Sequence, residues 1–99
     1  MDIEIFPEQS CVVVKVNGRL ITINSPELEA KLEEVYDLSN NIVFDFGDLE
    51  YISSAGLRVL MAAFKRTHAA GGSIAVRNAN DYVIETFEIT GFTDFLDMQ

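Results

Sequence analysis

The hydrophobic period of the chain switches several times within 99 residues, and that switching limits the folds open to it more than any other feature. Ile3 and Ile5 alternate with acids until Pro7 interrupts, the pattern of a short edge strand. Cys11 to Val16 is a β-branched run that predicts a second strand. It is ended by Asn17-Gly18, a turn signal that leads into a further apolar stretch, Leu20 to Ile23. Ile42-Val43-Phe44-Asp45-Phe46 has the compact apolar character of a central strand, and Ser73 to Val76 predicts another.

Between these runs the spacing becomes helical. Ser25 followed by Pro26 reads as an N-cap with proline at the first helical position. Leu28, Leu32, Val35 and Tyr36 then recur along one face, with acids elsewhere. A second helix is expected from about Ser53-Ser54, with Leu57, Leu60, Met61, Phe64 and His68 as a continuous buried stripe and Gly71-Gly72 as its C-cap pair. Tyr82 to Ile89 predicts a third helix ending near Gly91, followed by a terminal segment, Phe92 to Met98. Strand, helix, strand, helix, strand calls for right-handed crossovers and an at least partly parallel sheet. The expected fold class is a small α/β (α+β) sandwich forming a single domain over residues 1–99.

Charge narrows the function. Seven Lys plus Arg stand against 16 Asp plus Glu, a net charge of −9. Such a surface repels phosphate backbones and anionic membranes, so direct nucleic-acid binding and membrane binding are not expected. The single cysteine, Cys11, cannot form an internal disulfide and is expected to pack as a small hydrophobe. The N-terminus lacks a basic segment followed by a long apolar one, and no apolar run approaches the roughly 20 residues of a membrane span, so a cytoplasmic location is expected.

The segment Asp48-Leu49-Glu50-Tyr51-Ile52-Ser53-Ser54-Ala55-Gly56-Leu57-Arg58-Val59-Leu60 carries the chemistry. It puts two hydroxyls where a strand gives way to a helix, beside unpaired backbone N–H groups and a partial positive charge. A hydroxyl there can cap the helix, and a phosphate there can be held by the same groups. Other chemistries fail on these residues. A serine hydrolase would need Gly where Ile52 stands, and the only histidine, His68, lies 14 residues past Ser54, roughly 21 Å along one helix. A phospho-receiver domain would need an acidic cluster after the first long strand and a Lys after a later one; Asn17-Gly18-Arg19 and the residues after Val76 supply neither. With one His and one Cys, only oxygen ligands remain for a metal, and no Walker loop or G-x-G-x-x-G is present. No resident cofactor or metal is expected, and the chain is read as a binding protein and not an enzyme.

The same segment resembles the signature of STAS domains, in particular the stand-alone anti-sigma factor antagonists of bacteria. Val13 to Leu20 looks like the family's second strand with its Gly-x-Leu ending, Ser25-Pro26-Glu27-Leu28 like its first helix start, and Ala70-Gly71-Gly72 like the turn before a later strand. Glu85-Thr86-Phe87-Glu88-Ile89-Thr90-Gly91-Phe92 matches its last helix and turn. The resemblance implies a mixed four- to five-stranded sheet with helices mainly on one face.

It also implies a partner switch. Unphosphorylated protein would bind a serine kinase that is also the anti-sigma factor, phosphorylation would release it, and a phosphatase would reset it, with ATP and Mg²⁺ belonging to the kinase. Anchored on Gly56-Leu57, the acceptor falls on Ser54, with Ser53 the less favoured choice. Ile21, Thr22, Ser53, Ala55, Gly56 and Arg58 would form the partner-binding surface, and a phosphate on Ser54 would meet like charge from Asp45, Asp48 and Glu50. Two departures stand out. The family's Asp before the acceptor is Ser53 here and its second hydroxyl is Ala55, and the Asp often found after Gly-x-Leu is Ile21. The second departure suits the other reading of the resemblance, a STAS subunit that is never phosphorylated, for example in a lipid-transport complex.

Overall fold

A computed structural model describes all of residues 1–99. In chain order it holds β1 (Asp2–Pro7), β2 (Val12–Leu20), α1 (Ser25–Tyr36), β3 (Asn41–Asp45), β4 (Leu49–Ile52), α2 (Ser54–Ala69), β5 (Ser73–Arg77), α3 (Asp81–Thr90), a 3₁₀ turn at Phe92–Asp94 and β6 (Asp97–Met98). The sheet runs β1-β2-β3-β5-β6, with β4 paired to β2. Only β1 is antiparallel to its neighbour, so the expected mixed α/β sandwich is the observed one, with six strands where four to five were expected because β4 and the short β6 were not foreseen.

Strand alternation explains why the helices collect on one face. Val12, Val14 and Val16 of β2, Ile42 and Phe44 of β3, and Ile74 and Val76 of β5 all enter one core with Leu28, Leu32 and Val35 of α1 and Leu57, Val59, Leu60 and Ala63 of α2. Their odd-numbered neighbours point to the other face. Residues such as Val14, Leu28, Phe44 and Leu60 are fully buried, each worth about 1.5–3 kcal/mol of hydrophobic transfer.

Several local expectations need correction. Asn17-Gly18 does not reverse the chain. β2 continues through it to Leu20, with Gly18 at φ +92° and the register slipping between Gly18 and Arg19. The glycine supplies a bulge at which β2 exchanges β3 for β4, so what reads as a hairpin turn is a bend inside one strand. Ser25 is not the N-cap. Asn24 occupies that position without capping through its side chain, because the side chain braces the preceding turn: its Oδ1 accepts from Ile21 N–H at 2.8 Å and its Nδ2 donates to Arg19 O at 2.9 Å. Ser25 lies in the first turn, and its hydroxyl donates to Ile21 O at 2.6 Å.

Leu49–Ile52, to which the sequence pattern assigned no element, is a strand. His68 is exposed and stacks on Phe64, because the core-facing position in the last turn of α2 is Thr67; the buried face is Gly56, Leu57, Val59, Leu60, Ala63 and Thr67. Cys11 is only half-buried and lies just ahead of β2, its thiol 3.6 Å from Glu8 Oε1. Burial first and the Glu8 carboxylate second push its pKa up. Gly71 at φ +77° and Gly91 at φ +80° close α2 and α3 as anticipated.

Candidate functional site

Two sequence motifs distant along the chain form one junction. The Gly-x-Leu ending of β2 places Leu20 beside Ile52 of β4, and Ser53 N–H donates to Leu20 O at 2.9 Å. Gly56 in the first turn of α2 then presses on the same leucine. A Cβ at that position would lie 2.7 Å from Leu20 Cγ and 2.9 Å from Ile52 Cγ1. Glycine is therefore required by close packing of helix on strand, with no appeal to backbone freedom.

The two serines at the helix start have different surroundings. Ser53 sits in extended backbone at φ −88°, ψ 172°, and its Oγ accepts from Gly56 N–H at 3.2 Å. It is the N-cap, and its hydroxyl oxygen is committed to the helix. Ser54 is the first helical residue and is exposed, and its hydroxyl makes no hydrogen bond to the protein. The N–H groups of Ser54 and Ala55 likewise donate to nothing in the chain, whereas Leu57 N–H opens the helical ladder at Ser53 O. A free hydroxyl thus stands beside two free donors at the positive end of a 16-residue helix.

Beside it lies a shallow groove of about 230 Å³ between the start of α1 and the start of α2. Of the residues expected at a partner surface, Thr22, Ala55 and Arg58 line it together with Ser25, Pro26, Glu29 and Val59. Ile21, half-buried, is held below by the Asn24 brace, while Gly56 and Ser53 are spent on packing and capping. Sequence reasoning did not mark Leu20, Asn24, Pro26, Glu29 and Val59 as part of this region. The Gly-x-Leu motif pointed to Leu20, but its contact with Gly56 exists only once the sheet is assembled.

The groove continues between α1 and α2 into a larger one of about 490 Å³. There Arg66 pairs with Glu33 at 3.5 Å and stacks over the Tyr36 ring at 4.5 Å, so that basic residue stabilises the helix pair. Burial raises the Tyr36 pKa, with Arg66 opposing.

Two of the three acids expected around Ser54 are elsewhere. Asp45 is in register with Lys15, five residues before Leu20 on β2 and so about 16 Å from the helix start at roughly 3.3 Å per residue. Its carboxylate already faces Arg77 at 3.5 Å, and Asp48 pairs with Lys15 at 3.5 Å. Of the three acids only Glu50 lies on the strand leading into α2. No three His, Cys, Asp or Glu side chains gather as a metal cluster, and no helix is long and apolar enough to cross a membrane.

The fold and this junction define a small α/β domain that presents a helix start and a groove on its surface. The STAS domain model matches residues 2–99, and the chain belongs to that family. It is 26% identical over 98 residues to the anti-sigma-B factor antagonist of Bacillus subtilis, covering 99% of this chain and 90% of that one. With BtrV of Bordetella bronchiseptica, provisionally named an anti-sigma factor antagonist, it shares 37% identity over 87 residues, covering 79% of this chain and 75% of BtrV. Among solved structures, Bacillus SpoIIAA, an anti-sigma factor antagonist, has the same fold. Its unphosphorylated form matches at a TM-score of 0.80 and 16% identity, over 99% of this chain and 87% of that one. Its phosphorylated form matches at 0.78 and 16%, over 99% and 91%.

Proposed function

We propose that this protein is an anti-sigma factor antagonist working by partner switching in the cytoplasm. Unphosphorylated, it binds a serine kinase that is also an anti-sigma factor; phosphorylation on Ser54 releases it, and a phosphatase restores it. The observation that carries this reading is the division of labour between the two serines. Ser53 is spent as a cap, while Ser54 offers an unbonded, exposed hydroxyl one residue before Ala55, which lines the groove. The kinase binds ATP and Mg²⁺. The γ-phosphoryl group passes to Ser54 Oγ, the hydroxyl proton is lost and ADP leaves.

The phosphate adds about −1.5 to −2 charge at a helix start whose free N–H groups accommodate it. Release then follows from a dianion standing next to the groove-lining Ala55, with no refolding and without help from Asp45 or Asp48. In support, both phosphorylation forms of SpoIIAA match this chain about equally, at TM-scores of 0.80 and 0.78, so in that protein the fold persists through the modification.

The test is intact mass after incubation with ATP, Mg²⁺ and the candidate kinase from the same genome, for wild type, Ser54→Ala and Ser53→Ala. An adduct lost only in Ser54→Ala is expected. No adduct on wild type, with a kinase active on another substrate, would overturn the switch.

A further inference from the structure

We propose that Arg58 is the receptor of the phosphoryl group on Ser54, so that phosphorylation both adds a dianion next to a groove-lining residue and withdraws the groove's cation. The inference rests on the phosphorylation reading above and assigns the residue that answers the modification within this chain.

Arg58 stands out among the basic residues. The chain has 7 Lys plus Arg against 16 acids, and five of the seven are engaged. Lys15 pairs with Asp48, Lys31 with Glu34, Arg66 with Glu33 and Arg77 with Asp45, while Arg19 lies over the Tyr51 ring at 4.6 Å. Arg58 and Lys65 have no such partner, and both are exposed on α2. Among the four arginines Arg58 alone has neither a carboxylate nor a ring against it, and it falls four residues after Ser54.

Residues four apart on a helix share a face, with Cβ atoms about 5–6 Å apart. Helical side chains lean toward the N-terminus, so an arginine at the later position reaches back over the earlier one. A guanidinium matches a phosphate with two parallel N–H···O bonds, which an ammonium cannot reproduce.

Without the phosphate, Arg58 lines the groove with Thr22 and Ala55. Glu29 of α1 lines it too but does not come within ion-pair distance, so the guanidinium is free to meet an acidic group of a docked partner. With the phosphate in place, that guanidinium turns to it. A partner that reads Arg58 then loses its cation in the same event that places a dianion in its way. Lys65 cannot substitute, lying 11 residues past Ser54 or about 16 Å along the helix.

The experiment installs phosphoserine at position 54 of the full chain by genetic encoding and titrates it by ³¹P NMR. The proteins compared are the parent, Arg58→Lys, Arg58→Gln and Lys65→Gln, each with its melting temperature as a check on folding. The free helix-start N–H groups act on the phosphate equally in all four, so differences isolate the side chains. Arg58→Gln should raise the second phosphate pKa by about 0.3 to 1 unit, Arg58→Lys by less, and Lys65→Gln should leave it unchanged. An Arg58→Gln protein titrating with the parent would overturn the proposal, as would an equal shift in Lys65→Gln, which signals a general charge effect. The phosphoserine is installed without the kinase, so these outcomes stand apart from the kinase assay. A wild-type chain the kinase never modifies sinks the functional reading, not the Arg58 contact.

Discussion

Two strand ends of this sheet carry polar side chains, and they handle them in opposite ways. Where β3 and β5 end, Asp45 accepts from Gly47 N–H at 3.0 Å and Asn78 Nδ2 at 3.3 Å and faces Arg77 Nε at 3.5 Å. Asn78 adopts φ +63°, a left-handed backbone that asparagine tolerates, to bring its amide there. Where β2 and β4 end, the helix start packs closely on the strands but the polar groups are left open: the Ser54 hydroxyl, two backbone donors and the Arg58 guanidinium. The first end closes a sheet; the second presents a surface. Polarity at a strand end is thus a poor guide to function, and the useful question is which groups the fold leaves without a partner.

The sharpest way to break this contrast is through the packing beneath the open end. Gly56→Ala would drive a methyl into Leu20 and Ile52, both core residues with little room to move. A loss of about 1–3 kcal/mol is expected, with each kcal/mol lowering the melting temperature by about 4–8 °C. Denaturant unfolding checks it, and a protein as stable as wild type would show that the junction yields.

The closed end should answer to pH. Burial by itself would raise the Asp45 pKa, but the hydrogen bonds from Gly47 and Asn78 and the nearby Arg77 outweigh it, and the carboxyl is held below its ordinary value of 3.8. A depressed folded value means that Asp45 stabilises the protein fully above the unfolded value, and that this contribution drains away as pH falls through the folded one. Asp45→Asn should therefore cost about 1–2 kcal/mol at neutral pH, where Arg77, being partly exposed, supplies the smaller share. It should also flatten the acid limb of the stability profile. Urea midpoints measured across the acid range for both proteins decide it; parallel profiles would count against the assignment.

The contrast also shows how far sequence reading could go. Periodicity located all three helices and the central strands, since buried stripes at Leu28-Leu32-Val35 and runs such as Ile42–Phe46 are local facts. A helix start at Ser53-Ser54 was legible for the same reason, but the strand read ahead of it was Ile42–Phe46, and β4 was not foreseen. What failed depended on partners distant in sequence. Asn17-Gly18 carries the same dipeptide whether it turns a hairpin or bulges a continuous strand, and only the arrival of β4 decides. Asp45 and Asp48 sit close to Ser54 in sequence, yet β4 intervenes and carries the helix start away from them. Arg58 could be seen on the helix, but its lack of a partner becomes visible only when the other basic residues have found theirs.

The smallest effect on stability should come with the largest on function, and it lies in the two neighbouring serines. Ser53→Ala removes the cap from α2 and should cost about 1 kcal/mol, while leaving the Ser54 hydroxyl where it is. Ser54→Asp touches no hydrogen bond in the protein, and a carboxylate in the first turn suits the helix dipole, so stability should stay within about 0.5 kcal/mol of wild type. On binding to the kinase the order reverses. Ser54→Asp places a negative charge one residue before the groove-lining Ala55 and should weaken binding by about tenfold or more, equivalent to about 1.4 kcal/mol. Ser53→Ala should bind almost as wild type, because its hydroxyl oxygen faces the helix and not the groove. Thermal melts and calorimetric titration on the same two proteins measure both halves. If the two serines fail to separate, with one substitution moving stability and affinity together, the division between a capping and a signalling hydroxyl falls, whatever the kinase does to either.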